Sequence, residues 1–142
     1  PRSTPKPSSA ASDVYKRQDL VKSAHDCSEG GLAVALAECT FSELEARNTP
    51  RFLGAEIDLS TVEDVRLDAL LFGESHGRVV ITTSELDAVK AVERAKLLGV
   101  PAQRIGTVGG KQLKLRTLTG EHHWEVVGLH DLWWNSIGNA MA

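Results

Sequence analysis

The patterning of apolar and polar residues predicts an α+β fold, a mixed α/β sandwich in which helices pack on a mainly antiparallel sheet. Three observations carry that prediction. Residues 30–39, GGLAVALAEC, are apolar nearly all round, as in a helix buried on several sides. Residues 78–82, RVVIT, are β-branched and almost continuously apolar, which suits a strand in the middle of a sheet. Gly109–Gly110 separates two strand-like runs, where paired glycines supply positive φ at little steric cost.

Taken in order, residues 1–18 hold three of the chain's five prolines, four serines and almost nothing apolar. Such a segment buries too little surface to offset its ordering entropy, so it is expected to be disordered. Within it DVYKRQ (Asp13–Gln18) resembles a translated adapter oligonucleotide, and no methionine opens the chain. Residues 1–18 are therefore expected to be a non-native tail and residues 19–142 the domain, cut off from polypeptide upstream of Asp19. Asp19–Ser23 reads as the last turn of a truncated helix.

Ala24–Ser28 leads into the buried helix, where Leu32, Ala35, Leu36 and Cys39 recur at i, i+3, i+4 and i+7. Ser28 is the expected N-cap, and Glu29 in the first turn suits the helix dipole. Ser42–Phe52 is polar and reads as loop. Gly54–Leu59 alternates as a strand, Val65–Phe72 forms a short helix, and Gly73–Gly77 turns into the strand Arg78–Thr82. Ser84 caps a helix over Glu85–Leu98 whose apolar stripe is Leu86, Val89, Ala91, Val92, Ala95 and Leu98. Gly99 stands at its C-terminal cap with Pro101 beyond. Ala102–Val108 and Gln112–Arg116 form a hairpin through Gly109–Gly110. Thr119–Gly120 turns again, Trp124–Val127 is a short strand, and Leu129–Ile137 closes the chain as a helix. The expected order is αα-β-α-β-α-β-β-β-α without an internal repeat.

Composition narrows the function. The 142 residues suffice for one domain with a sizeable core, and no run approaches the roughly 20 apolar residues of a membrane-spanning helix. Two cysteines, Cys27 and Cys39, are too few for a disulfide-stapled secreted module, so a reducing cytoplasm is expected. The tail carries four basic residues against one acidic, and the remainder 12 basic against 18 acidic, for the overall net charge of −3. An acidic body, in a chain with seven aromatic residues in all, argues against nucleic-acid binding. Phosphate chemistry stays open, because backbone amides hold phosphates without a positive surface.

Two clusters could carry chemistry. In His25-Asp26-Cys27-Ser28-Glu29-Gly30-Gly31, His25 could serve as base and Cys27 as nucleophile, although near neighbours in extended chain diverge. Ser28 and the amides of Glu29–Gly31 could instead hold an anion at the helix N-terminus. Or the glycines permit a tight turn while Asp26 and Ser28 cap orphan amides. The second cluster, Gly73-Glu74-Ser75-His76-Gly77-Arg78, precedes a strand, where rigid folds place ligand contacts; otherwise it is a solvated turn with a Glu74–Arg78 contact. Metal binding is not expected: the cysteines lie twelve apart, and His122-His123 reads as an exposed hairpin rim. Of Trp133 and Trp134, one is expected on the core and the other outward, where it could anchor a partner.

AHDCSEGGLAVALAE (Ala24–Glu38) followed by LLFGESHGRVVIT (Leu70–Thr82), with IGTVGG (Ile105–Gly110), resembles the last domain of the phosphoribosylformylglycinamidine synthases. These belong to the aminoimidazole ribonucleotide synthetase-like superfamily, and the resemblance runs from Asp19 to the closing helix. It implies the fold of the aminoimidazole ribonucleotide synthetase C-terminal domain. It also implies a reaction in which ATP and glutamine-derived ammonia convert the formamide of formylglycinamide ribonucleotide to an amidine, releasing ADP and phosphate. Phosphorylation of the amide oxygen would create the leaving group, with magnesium bridging the ATP phosphates. Implied partners are the missing upstream domains, a glutaminase subunit, a small bridging subunit and the ribonucleotide, with neither nucleic acid nor membrane.

Family architecture pairs two ATP-binding domains with two copies of this α/β domain, and the chain resembles the second copy. The catalytic histidine, the magnesium carboxylates and most ATP contacts then lie upstream, leaving no catalytic residue here. Asp26, Ser28, Gly30 and Gly31 carry over as scaffold and ligand-neighbouring turn. Glu74, Ser75 and Arg78 match in kind a turn that contacts substrate in the first copy, whereas His76 departs from the pattern. Two alternatives are a non-catalytic scaffolding module and the same domain of a thiamine-monophosphate kinase or hydrogenase-maturation protein.

Overall fold

A computed structural model describes residues 20–41 and 51–141. The expected tail and most of the Ser42–Phe52 loop lie outside the described residues. The elements are β1 (Ser23–Asp26), α1 (Gly31–Cys39), β2 (Ala55–Asp58), α2 (Leu67–Phe72), β3 (Val79–Thr82), α3 (Glu85–Leu97), β4 (Gly106–Val108), β5 (Gln112–Thr117), β6 (Gly120–Glu125), α4 (Val126–Trp134) and α5 (Ser136–Met141). They make the mixed α/β sandwich that the sequence predicts. A four-stranded sheet runs β4-β2-β5-β6, and β1 and β3 form a separate antiparallel ribbon. Only the β2–β5 pair is parallel.

The apolar run makes α1 because its residues can be covered on several faces. Leu32, Ala35 and Leu36 are buried and join Ala55 and Ile57 of β2, Leu113 and Leu115 of β5, Leu71 of α2, and Cys27 in one core. Strand alternation shows in β2 and β5, where these residues point inward and Glu56, Asp58, Lys114 and Arg116 point out. The outward charges pair across the sheet: Lys114 Nζ lies 2.6 Å from Glu56 Oε1, and Arg116 bridges Asp58 and Glu121.

Several expectations are corrected. Among the described residues no helix precedes β1: residues 20–22 are not helical and Ser23 opens the strand. A strand wins there because β3 offers a ladder, with Lys22 N–H donating to Thr82 O at 2.8 Å and Ser23 Oγ meeting Thr82 Oγ1 at 2.6 Å. β3 is not central; its apolar run divides between Val80, which faces inward, and Val79 and Ile81, which are 46% and 44% exposed. In α3 only Ala91 and Ala95 of the stripe are buried, and Leu86, Val89 and Leu98 face solvent. β6 starts four residues earlier than expected, and the closing helix divides at Asn135.

β4 and β5 do not form a hairpin. β2 lies between them, antiparallel to β4 and parallel to β5. The Gly109–Gly110 turn wraps the start of β2: Gly109 N–H donates to Gly54 O at 2.7 Å, and Gly54 N–H to Gly110 O at 3.0 Å. The inserted strand buries Ala55 and Ile57 beside Leu113 and Leu115, which an open two-stranded hairpin could not do.

A Cβ on Gly54 would sit 2.3 Å from Gln112 O and 2.7 Å from Gln112 N, both backbone atoms unable to yield without moving β5. Gly54→Val is therefore expected to destabilise the domain by about 1–3 kcal/mol. Urea denaturation checks it, and an unchanged midpoint would show that β2 can shift to accommodate the side chain.

Candidate functional site

The two polar clusters of the sequence meet in space. α1 is nine residues long and opens at Gly30, whose φ of +73° is left-handed; Gly31 follows at φ +74°. Neither is available to an ordinary L-residue without strain. A Cβ on Gly31 would lie 2.6 Å from the backbone carbon of Phe72 and 2.7 Å from its Cα. The first turn of α1 thus runs directly against the end of α2, which brings the 73–78 loop beside the 27–30 loop.

At this contact Glu74 Oε1 accepts the Gly30 N–H at 2.9 Å. Ser28 is not the N-cap, nor does Glu29 lie in the first turn. The Ser28 hydroxyl instead donates to Asp26 Oδ2. A short serine side chain two residues ahead of Gly30 is held by its own neighbour, whereas Glu74 is long enough to reach the exposed amide. The anion position at this helix start is thereby filled by a carboxylate from the protein itself.

Arg78 does not contact Glu74. Its guanidinium donates to the carbonyls of Leu70, at 3.0 Å, and of Gly73, stitching the end of α2 to the start of β3. Its Nε is buried and has no partner among the described residues. The Arg78 backbone oxygen accepts the Cys27 N–H at 3.1 Å. Ser75 and His76 are exposed at the tip of the loop.

His25 and Cys27 do not form a dyad. Cys27 is buried in the core, and His25 turns toward α1. Burial pushes the Cys27 thiol above its usual value; nearby Arg78 opposes the shift and Asp26 adds to it. Burial, with the charge of Glu38 beside it, pushes Cys39 up to about 11.

A polar chain that sequence reading missed runs past the site. His25 Nε2 lies 2.8 Å from Glu38 Oε2, and Trp133 Nε1 donates to Glu38 Oε1 at 3.1 Å. The available signal was a lone carboxylate in an otherwise apolar helix. Around it Phe41, Phe52, His130, Trp133 and Trp134 pack ring against ring, with His130 edge-on to Phe41 at 5.6 Å and stacked on Trp134 at 6.0 Å. Trp133 covers the core side and Trp134 is largely exposed, as expected of the pair. His122 and His123 are exposed, and His122 stacks on Trp124 at 6.0 Å. Among the described residues no group of three or more His, Cys, Asp or Glu is placed to hold a metal.

Comparison with known proteins agrees with the fold. Residues 3–117 match the family model described as AIR synthase related protein, C-terminal domain. The phosphoribosylformylglycinamidine synthase subunit PurL of Anaeromyxobacter dehalogenans strain 2CP-C is 43% identical over 102 residues, 70% of this chain and 13% of the relative. That of Alkaliphilus metalliredigens is 35% identical over 116 residues, 81% of this chain and 14% of the relative. The chain therefore spans only a small part of the relatives it matches. The structure of T. maritima PurL complexed with ATP superposes with a TM-score of 0.64 at 21% identity, covering 82% of this chain and 20% of that one.

Gly31→Val is expected to cost about 1–3 kcal/mol, because it combines a left-handed φ with a backbone clash. An unchanged melting temperature would show that α1 can start without this geometry. Iodoacetamide at pH 8 is expected to modify both thiols at least about tenfold more slowly in the folded chain than in urea. Mass spectrometry of timed samples reads this, and equal rates would place the thiols in contact with water.

Proposed function

The chain belongs to the family of AIR synthase related C-terminal domains, and from that premise we propose that it is the C-terminal domain of a phosphoribosylformylglycinamidine synthase. In that enzyme ATP and glutamine-derived ammonia convert formylglycinamide ribonucleotide to the amidine. The observation that carries this reading is a single name shared by relatives 35–43% identical to the chain. Its place is purine biosynthesis in the cytoplasm, as an ATP-dependent C–N ligase. A glutaminase subunit and a small bridging subunit are its proposed partners.

Within that enzyme the domain contributes architecture. The residues present do not fit a magnesium–nucleotide site: no metal-binding cluster occurs among the described residues, and Glu74 already takes the Gly30 amide. A phosphate approaching that amide would meet a carboxylate, and like charges at hydrogen-bonding distance repel. The ATP and magnesium of the reaction are accordingly assigned to upstream polypeptide. Residues 1–18 are proposed to be a non-native tail. Asp26, Ser28, Gly30, Gly31, Glu74, Ser75 and Arg78 keep a ligand-neighbouring role as the second reading. It is favoured by the exposure of Glu74 and Ser75 on a loop that rigid elements hold at both ends.

The scaffold role also accounts for apolar side chains left in solvent. Leu86 and Val89 of α3 and Leu132 of α4 are 86%, 65% and 71% exposed. Leu86 and Val89 lie one turn apart on α3, and an apolar helix face of that kind suits cover by other protein.

The 142-residue chain alone is expected neither to hydrolyse ATP nor to form the amidine. Turnover above that of a Glu74→Ala control would overturn the assignment of chemistry to upstream polypeptide. In the complete enzyme, Asp26→Ala, Glu74→Ala and Ser75→Ala separate the two readings. Near-normal kcat and KM support the scaffold, and a loss of tenfold or more in a folded variant supports a ligand role.

A further inference from the structure

The C-terminal helices are held by few contacts. α5 buries no residue, and of α4 only Val126 is buried, while Val127, Leu132 and Trp134 are 50%, 71% and 55% exposed. α4 is tied to the body at its start by the Val126 N–H, which donates to Lys111 O at 3.1 Å, and by Leu129 packed on the core. Farther along, besides the aromatic packing around His130, the side-chain polar link is the Trp133–Glu38–His25 chain.

That chain requires a charged histidine. Nδ1 of His25 faces the Asp26 carbonyl oxygen at 2.7 Å, and Nε2 faces the Glu38 carboxylate at 2.8 Å. A carbonyl oxygen and an ionised carboxylate can only accept, so opposite them both ring nitrogens carry hydrogen. A neutral imidazole has one N–H and would point a lone pair at one of these oxygens. Glu38 is 24% exposed, and the imidazole is the partner of the carboxylate oxygen that Trp133 leaves free.

We propose that His25, Glu38 and Trp133 form a protonation-dependent latch that holds the C-terminal helices against α1 and β1. With His25 charged, Glu38 is neutralised on one oxygen and accepts the Trp133 indole N–H on the other. When the imidazolium gives a proton to solvent, the carboxylate loses its counter-charge, and its hold on Trp133 loosens as it competes for water. The latch is closed while both ring nitrogens carry hydrogen and opens when one is lost.

The other groups around His25 do not replace it. On β1 the Asp26 carboxylate lies 4.0 Å from Nδ1 and is negative. On α1 the facing groups are Glu38 and its neighbour Cys39, whose thiol burial keeps protonated. β3 places Val80 opposite, which cannot titrate. α4 presents the neutral indole, and its His130 sits 3.6 Å from its own neighbour Asp131.

Amide hydrogen exchange of the 142-residue chain between pH 5.5 and 8, expressed as protection relative to intrinsic rates, tests the latch. Protection across residues 126–134 is expected to fall roughly tenfold over that range while that of β5 stays constant, since charge-assisted bonds of this kind are worth about a factor of ten or more. His25→Gln, which keeps a side-chain N–H but cannot titrate, is expected to make α4 protection independent of pH. Trp133→Phe keeps the ring packing and removes the donor, so it carries the same expectation should the first variant not fold. Constant protection in the unaltered chain overturns the proposal. So does a fall that survives either substitution, which would trace the pH dependence to His130 or to the exposed histidines of β6.

Discussion

Everything around the candidate site depends on how closely two backbones approach where α1 begins and α2 ends. Gly31 has Phe72 main-chain atoms where any other residue would place its Cβ, and its left-handed φ aims α1 into the core rather than past it. Close approach of this kind needs glycine for two separate reasons, absent side-chain volume and free backbone rotation. Once α2 stops against α1, the chain must turn immediately, and Gly73 to Arg78 is the segment that turns. Its carboxylate and its guanidinium then serve the same junction from opposite sides. Glu74 satisfies an orphan amide of α1, and Arg78 satisfies orphan carbonyls of α2.

The legible part of this structure is what local pattern controls. The periodicity of Leu32, Ala35 and Leu36 placed α1 because one face was enough to identify it, and the alternation of β2 survives as Ala55 and Ile57 in, Glu56 and Asp58 out. What was illegible depends on partners far away in the chain. Ser23 becomes strand because Thr82 pairs with it across 59 positions, and nothing within residues 19–23 announces that ladder. β2 enters between β4 and β5 for the same kind of reason. Two runs flanking a Gly–Gly turn look like a hairpin whether or not a third strand inserts between them.

α3 shows a different limit. Its apolar positions were read correctly as one stripe, yet only Ala91 and Ala95 are covered. Binary pattern reports which face of a helix avoids water, not whether the described polypeptide supplies the cover. At the site the two clusters were each visible as unusual runs of small and polar residues, but their junction through Glu74 and Gly30 was not, because it joins residues 44 positions apart. The expected Glu74–Arg78 contact failed on the same ground, since both side chains found main-chain partners with stronger claims.

Those main-chain partners also explain why a polar-rich motif can carry little chemistry of its own. A carboxylate that reacts or binds must have capacity left over, and a guanidinium that holds phosphate must present its fork outward. Here Glu74 spends one oxygen on Gly30, and Arg78 spends two of its nitrogens on Leu70 and Gly73 while its third is buried without a partner. Withdrawing either group to serve a ligand would expose an unsatisfied helix end, at a cost of the same order as the bond gained. Motif residues in this domain are therefore committed first to the joint between α1 and α2. Any ligand they meet has to be one that leaves that joint intact.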